Sequence, residues 1–188
     1  MHLQPQTLSA AGDSPWIIPH PLPIATNIGL ALTFSSNANL TANVQYTYDD
    51  PLQNYRLVTL ARAATVLTIT DNNHGLNVGD AISLSNPNAD PNNSWDGGSG
   101  GQGTNYDVAS IVDQNNYTVT VANSGAASAG GAVRSFRLFL HPTLKAITGT
   151  PPVRTDGSLG WPVGAIRLNV TGYVAGSVTL TAQEAKGY

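Results

Sequence analysis

The sequence predicts an all-β protein, and three observations support that class. Charged residues make up only 10% of the 188 residues, with a single Glu and two Lys, so the residues that exposed helices use most are scarce. The chain holds 19 Gly and 12 Pro, which favour strands joined by turns. Apolar and polar residues alternate in many short runs, and no run has a convincing helical period.

Eight segments have the alternation of a half-buried strand, or its β-branched composition. They are residues 27–34, 39–50, 64–71, 81–87, 106–112, 117–122, 132–142 and 163–183. The last one alternates most clearly, with Ile166, Leu168 and Val170 on one face and polar residues between them. It contains the turn-like stretch GYVAG, so we expect a β-hairpin there.

Two changes in composition, near residues 62 and 132, predict a discontinuous organisation. Short strands with Gly- and Asn-rich turns fill residues 62–132, whereas longer apolar runs lie on both sides. We therefore expect a discontinuous β-sandwich domain formed by 1–61 plus 133–188, which includes an N-terminal arm. A small β module, 62–132, would be inserted into it, because an insertion requires only that its two ends lie close together.

The composition argues against several classes of function. The net charge of −3 and the six scattered Arg give no basic surface for nucleic acid. The absence of Cys excludes a disulfide scaffold and a thiol nucleophile. The first residues lack the pattern of a signal peptide and no window is apolar enough to span a membrane, so we expect neither secretion nor membrane insertion.

The stretch HGLNVGD, residues 74–80, could be an active-site loop in which Asp80 orients His74 as a base. The same letters favour two tight turns, since His-Gly and Gly-Asp pairs tolerate left-handed backbone. No nucleophile motif accompanies them, so we favour turns. We expect no catalytic residue, no metal ligand set and no cofactor, and hence not an enzyme.

The long Gly-rich stretch DPNNSWDGGSGGQGTN, residues 90–105, contains the aromatic residue with the best case for a binding role. Trp95 and its neighbour Asp96 form a possible exposed binding loop, and a Trp on a loop can stack on a sugar. The stretch has the composition of a calcium loop but lacks its spacing and its bidentate Glu. Trp16 and Trp161 both adjoin a proline at a strand edge, which favours packing in a core or an interface.

Two patterns resemble proteins of tailed bacteriophages. TITDNNHGLNVGDAISLSNP, followed by YDVASIVDQNNYTVTVANSGAASAGGAV, resembles a small β-barrel module of phage virion proteins. The flanking VQYTYDDP, FLHP and WPVGAIRLNVTGYVAGSVTLT are similar to segments of small capsid-associated or head-decoration proteins. This resemblance implies an all-β, jelly-roll-like β-sandwich with an inserted small β-barrel module.

The same resemblance implies a structural role in the virion. It suggests a decoration (cement) protein that assembles in the host cytoplasm on the capsid surface. There it would bind between major capsid protein subunits as a homotrimer and stabilise the head shell. Alternatives are a tail, head–tail junction or head-fibre component. A carbohydrate-binding module that attaches to a host-surface glycan through the inserted module is an alternative of another class.

The N-terminal segment WIIPHPLP provides the expected contacts with the capsid or with a neighbouring subunit. Its three prolines remove hydrogen-bond donors, so it is unsuited to a central strand and suited to an extended contact. The residues concerned are Trp16, Ile17, Ile18, Pro19 and Pro21.

Overall fold

The computed structural model describes residues 3–19, 27–49, 56–85, 104–121, 133–149 and 154–184. Within these ranges all regular structure is β-strand, which confirms the all-β prediction. The described residues contain no helix that is long and apolar enough to cross a membrane. The strands are β1 (Gln6–Leu8), β2 (Gly12–Asp13), β3 (Ile28–Phe34), β4 (Asn39–Thr47), β5 (Arg56–Ala63), β6 (Val66–Thr70), β7 (Ala81–Ser85), β8 (Thr104–Ile111), β9 (Asn116–Thr120), β10 (Val133–Leu140), β11 (Ile147–Thr148), β12 (Arg154–Leu159), β13 (Ala165–Ala175) and β14 (Val178–Glu184).

The chain divides into two compact units, Met1–Pro51 with Phe139–Tyr188, and Leu52–Leu138. The boundaries expected from the sequence lie at 61/62 and 132/133. Both lie inside the second unit, which also takes in strand β5 and most of β10. Strand β5 pairs with β6, and β10 pairs with β5 and β7. These ladders give most of β10 and all of β5 to the second unit.

The first unit is a β-sandwich of two antiparallel sheets. One sheet has the order β1-β14-β3-β12, and the other contains β2-β13-β4, with β11 and the end of β10 paired to the free side of β4. Apolar side chains from both sheets form one buried core, which includes Leu32, Leu180, Val44 and Leu168. A sandwich core of this kind follows from strands whose alternate residues point to the facing sheet.

A two-stranded ribbon runs through both sheets and gives the sandwich its jelly-roll-like character, as predicted. Strand β3 pairs with β14 in one sheet, and the strands that follow and precede them, β4 and β13, pair in the other. Both connections cross between sheets at the same corner. Ser35 and Ser177 hold that corner together through the bonds Ser35 N–H to Ser177 O and Ser177 N–H to Ser35 Oγ, both 2.9 Å long.

The prediction of a hairpin within residues 163–183 is wrong. Both strands exist, but β13 pairs with β2 and β4, whereas β14 pairs with β1 and β3. The chain turns at Gly176, where φ is +84°, and passes to the facing sheet. Alternation and a Gly-containing turn are common to a hairpin and to a corner between two sheets, so the sequence pattern could not distinguish them.

The second unit is a closed six-stranded barrel, β5-β6-β9-β8-β7-β10, in which β10 returns to β5. Strands β5, β6 and β9 alternate buried and more exposed residues, as β5 does with its buried Val58, Leu60 and Arg62. The interior is filled by apolar side chains such as Leu67, Tyr117 and others of one buried cluster. Each of the six strands pairs with two neighbours around the ring, and closure of this kind is how small β modules protect their strand edges.

Candidate assembly surface

A cluster of four aromatic side chains lies at one end of the sandwich, where strand β4 ends. Tyr46 stacks on Phe139 with a centroid distance of 5.4 Å, and Tyr48 meets the edge of the same ring at 5.1 Å. Trp161, in the β12–β13 connection, meets Tyr46 edge-on at 6.4 Å. These geometries are the favourable offset and edge-to-face arrangements of aromatic pairs. We call these four residues the aromatic cluster.

The aromatic cluster connects the buried core with solvent. Tyr46 is only 7% exposed and belongs to the sandwich core, whereas Tyr48 is 55% and Trp161 39% exposed. Burial raises the pKa of Tyr46 above its usual value, and Tyr48 raises it further. The Tyr46 hydroxyl therefore stays neutral at physiological pH. Aromatic side chains held by packing at their base and open at their tip are typical anchors of protein interfaces.

The N-terminal arm lies on the sandwich of its own chain. Leu3 donates its N–H to Ala182 O, and β1 extends the first sheet beside β14. Ile17 exchanges two backbone hydrogen bonds with Ile166, and it is buried in the core at 5% exposure. A contact between this arm and a neighbouring subunit would therefore use the part of the arm's surface that stays exposed.

The predicted contact residues of the arm differ in how much of their surface is exposed. Ile17 and Pro19 are buried, while Trp16 and Ile18 keep part of their surface. Pro21 lies outside the described residues, as do Trp95 and Asp96 of the predicted binding loop. Among the described residues of this set, the surface available for a contact is the exposed part of Trp16 and Ile18.

Beneath the arm lies a buried polar network on the outer face of strands β4 and β13. Arg167 is 2% exposed, forms an ion pair with Asp13 at 3.1 Å, and donates through Nε to Gln45 Oε1 at 2.8 Å. Asn169 donates to Asp13 Oδ1 at 2.7 Å and accepts from Asn43 Nδ2 at 3.0 Å. None of these side chains is among the buried groups without a hydrogen-bond partner, and the two contacts with Asp13 join the arm to strand β13.

Trp16 covers this network, with the Arg167 guanidinium carbon 4.4 Å from the ring centroid. Burial lowers the pKa of Arg167 to about 10, and Asp13 opposes that shift. Arg167 therefore remains charged at neutral pH, and the cation–π contact adds to its ion pair. The sequence placed this residue on the polar, outward face of its strand. It did not show that the arm would cover that face.

The HGLNVGD stretch forms turns, as the sequence favoured. Gly75 and Gly79 have φ values of +57° and +88°, and Asp80 N–H donates to Asn77 O at 3.1 Å. His74 is 3% exposed, its Nδ1 accepts from Leu76 N–H at 3.0 Å, and its Nε2 lies 3.0 Å from Asp113 O. Asp80 accepts from Asn77 N–H at 2.8 Å. His74 and Asp80 thus bind different partners, and neither orients the other.

Within the described ranges, no three His, Asp or Glu side chains are grouped closely enough to hold a metal ion. The stretch with calcium-loop composition falls mostly outside those ranges.

The sequence contained a signal for the aromatic cluster that composition alone does not reveal. Tyr46 and Tyr48 are two residues apart, so they share a face of β4, and Phe139 lies in FLHP, one of the segments that carries the phage resemblance. What the sequence could not show is that the β12–β13 connection brings Trp161 to the same place.

Comparison with known proteins finds similarity among solved structures. No protein-family model matches the chain, and no curated protein matches it. Among solved structures, the chain is similar to a protein described as Phage phi92 endosialidase, with a TM-score of 0.30 and 18% identity. The match covers 80% of this chain and 20% of that one, so this chain spans about a fifth of the length of that protein.

Proposed function

We propose that this chain is a structural, non-enzymatic protein of a tailed-bacteriophage virion, and that it decorates the capsid. It would bind between major capsid protein subunits and stabilise the head shell. The observation that carries the proposal is the aromatic cluster on the sandwich, with Tyr48 and Trp161 open to a partner. The jelly-roll-like sandwich with its inserted barrel adds support, because it is the architecture that the motif resemblance implies.

The physical character of the sandwich supports attachment to a protein lattice. Only 10% of the residues of the chain are charged, so a partner need not desolvate many ions at the interface. The arm is bonded to its own sheet, which keeps the sandwich surface preorganised before binding. Preorganisation lowers the entropy lost on association.

A homotrimer at local three-fold positions suits this role best. Each subunit then presents one copy of the same surface, and three weak contacts add to one strong attachment. The partner of each contact would be the major capsid protein, and the protein would lie on the capsid surface after assembly in the host cytoplasm.

The test is attachment to heads that lack the protein. Purified wild-type chain is mixed with such heads, and the bound fraction is measured by sedimentation. Tyr48→Ser and Trp161→Ser should each lower the affinity at least about tenfold, since central aromatic anchors carry about 2 kcal/mol or more. Tyr173→Ser is the matched control, because Tyr173 is 38% exposed and pairs with Leu40 at the opposite end of β4.

The outcome separates the alternatives. Equal binding by all variants would remove the aromatic cluster from the interface. Wild-type chain that binds tails or isolated vertices instead of the shell would favour a tail, head–tail junction or head-fibre component. Binding to a host-surface glycan that is lost on Trp95→Ala would favour the carbohydrate-binding alternative.

A further inference from the structure

A buried arginine lies inside the barrel, and the described part of the chain gives it no charged partner. Arg62, on β5, is 3% exposed and points inward with Val58 and Leu60. Its Nε donates to Ala64 O at 2.9 Å in the turn that joins β5 to β6. Ala64 has a φ of +53°, so the turn that positions this carbonyl has an unusual backbone for a residue with a side chain.

The other two nitrogens of the Arg62 guanidinium have no hydrogen-bond partner. Both Nη1 and Nη2 are buried, and neither meets an acceptor in the structure as far as it is described. The side chains level with Arg62 on the next strands are apolar, since Leu67 is its Cα partner and Leu67 in turn pairs with Val119. Asp71, a buried carboxylate of the barrel, forms an ion pair with Arg56.

Such an arrangement is unfavourable in the empty protein. A guanidinium removed from water without acceptors loses several kcal/mol of solvation, and folded proteins rarely leave such a group unpaired. An oxyanion that supplied two oxygens to Nη1 and Nη2 would remove this cost. The planar guanidinium matches carboxylate and phosphate groups because it offers parallel N–H donors.

The position of Arg62 gives such an anion a short route. Arg62 is the last inward-facing residue of β5, followed only by Ala63 and the exposed turn Ala64–Thr65. The guanidinium therefore lies in the layer of side chains nearest that end of the barrel. Strand β9 ends at the same level, where Val121 N–H donates to Thr65 O at 2.8 Å.

We propose that this end of the barrel binds an oxyanion, a carboxylate or phosphate group of a small ligand, through Nη1 and Nη2 of Arg62. The proposal concerns the barrel alone and does not rest on the virion function, so either can fail without the other. Nothing in the sequence marked Arg62, because inward and outward positions of β5 could not be assigned before its pairing partners were known.

The test measures thermal stability of the full chain in sodium phosphate and in sodium glucuronate, with sodium chloride at equal ionic strength as the reference. Binding to the folded state alone raises Tm, by about 3 to 6 °C at ten times the dissociation constant for a chain of this size. Arg62→Met should abolish the rise and should also raise Tm in chloride, because it removes the unpaired charge. Arg154→Met is the control, since Arg154 is 69% exposed and should leave the anion effect unchanged.

A rise with phosphate alone or with glucuronate alone supports the site and identifies the anion class. No rise above the chloride reference in either anion overturns the proposal, as does an equal rise in Arg62→Met. If Arg62→Met fails to fold, an NMR titration of the wild-type protein labelled with ¹⁵N at arginine tests the site instead. The Nη resonances of one buried arginine should shift in a saturable way with the anion, and unchanged resonances overturn the site.

Discussion

Arg167 Nη1 lies 3.1 Å from Asp13 Oδ2, and this ion pair joins the N-terminal arm to strand β13 within the sandwich. The side chains are 3% and 10% exposed, so the pair is largely removed from water. A buried pair stabilises a fold only when its remaining donors and acceptors are satisfied. Gln45 and Asn169 supply those partners here.

Asp13→Asn should therefore destabilise the protein by about 3 kcal/mol, because it leaves the Arg167 charge buried without its counterion. The free energy of unfolding in urea measures this. The control is Asp156→Asn, since Asp156 and its partner Arg154 are 63% and 69% exposed. That change should cost less than about 1 kcal/mol. Equal effects of the two substitutions would contradict a special role for the buried pair.

The corner of the ribbon depends on the glycine at position 176. A Cβ there would lie 2.5 Å from Ala38 Cα, and the φ of +84° disfavours any other residue. Gly176→Ala should lower the free energy of unfolding by about 2 kcal/mol or more. Gly160→Ala serves as the control, because nothing lies within 4 Å of a Cβ at that position. A Gly176→Ala protein as stable as the control would mean that the corner can relax.

His141 should make the sandwich less stable in mild acid. Its Nδ1 accepts from the N–H groups of Thr143 and Leu144 at 3.2 and 3.1 Å, so the proton of the neutral ring is on Nε2, which faces Ser158 O at 3.2 Å. Burial lowers the pKa of His141, against a smaller opposing effect of the Ser158 carbonyl. The folded state therefore binds fewer protons than the unfolded state.

The direction of the pH dependence of stability follows from this difference in bound protons. Stability from His141 is complete above the unfolded pKa, about 6.5, and is lost as pH falls below it towards the folded pKa. Urea unfolding at a series of pH values from about 7.5 to 5 should show a steeper loss in the wild type than in His141→Gln, which keeps an acceptor but does not titrate. Parallel curves would show that His141 is not the group responsible.

His74 should matter for the stability of the barrel. It is buried, bonded through both ring nitrogens, and its ring meets Tyr117 at 5.0 Å. His74→Ala should cost about 2 to 3 kcal/mol, from the lost hydrogen bonds and the cavity. Asp80→Ala removes one acceptor of an exposed turn and should cost about 1 kcal/mol. The reverse order of these two effects, measured by thermal unfolding, would contradict the structural role assigned to His74.

Strand positions were predictable wherever one face is buried and the other is polar. The alternation of 39–50 gave β4 and that of 163–183 gave β13 and β14, because side-chain periodicity is a local property. Strand β5 was not predicted, because the apolar Leu57 lies on its exposed side and the charged Arg62 on its buried side, which obscures the alternation.

Pairing and burial of polar residues were not predictable, because they depend on distant parts of the chain. Arg167 and Asn169 look like the solvent face of β13 until residues 12–17 cover them, about 150 positions away in sequence. The same limit applies to Trp161, whose neighbours Tyr46 and Phe139 come from different segments. Local sequence patterns predict the strands, whereas the polar network and the aromatic cluster are formed by contacts between distant segments.

A reconstruction of the virion that carries this chain tests the central proposal most directly. Decoration predicts copies over the whole shell, at every equivalent local three-fold position, with the aromatic cluster facing the major capsid protein. Copies confined to one vertex, on the order of six or twelve as a ring would supply, would contradict decoration and assign the protein to the head–tail junction.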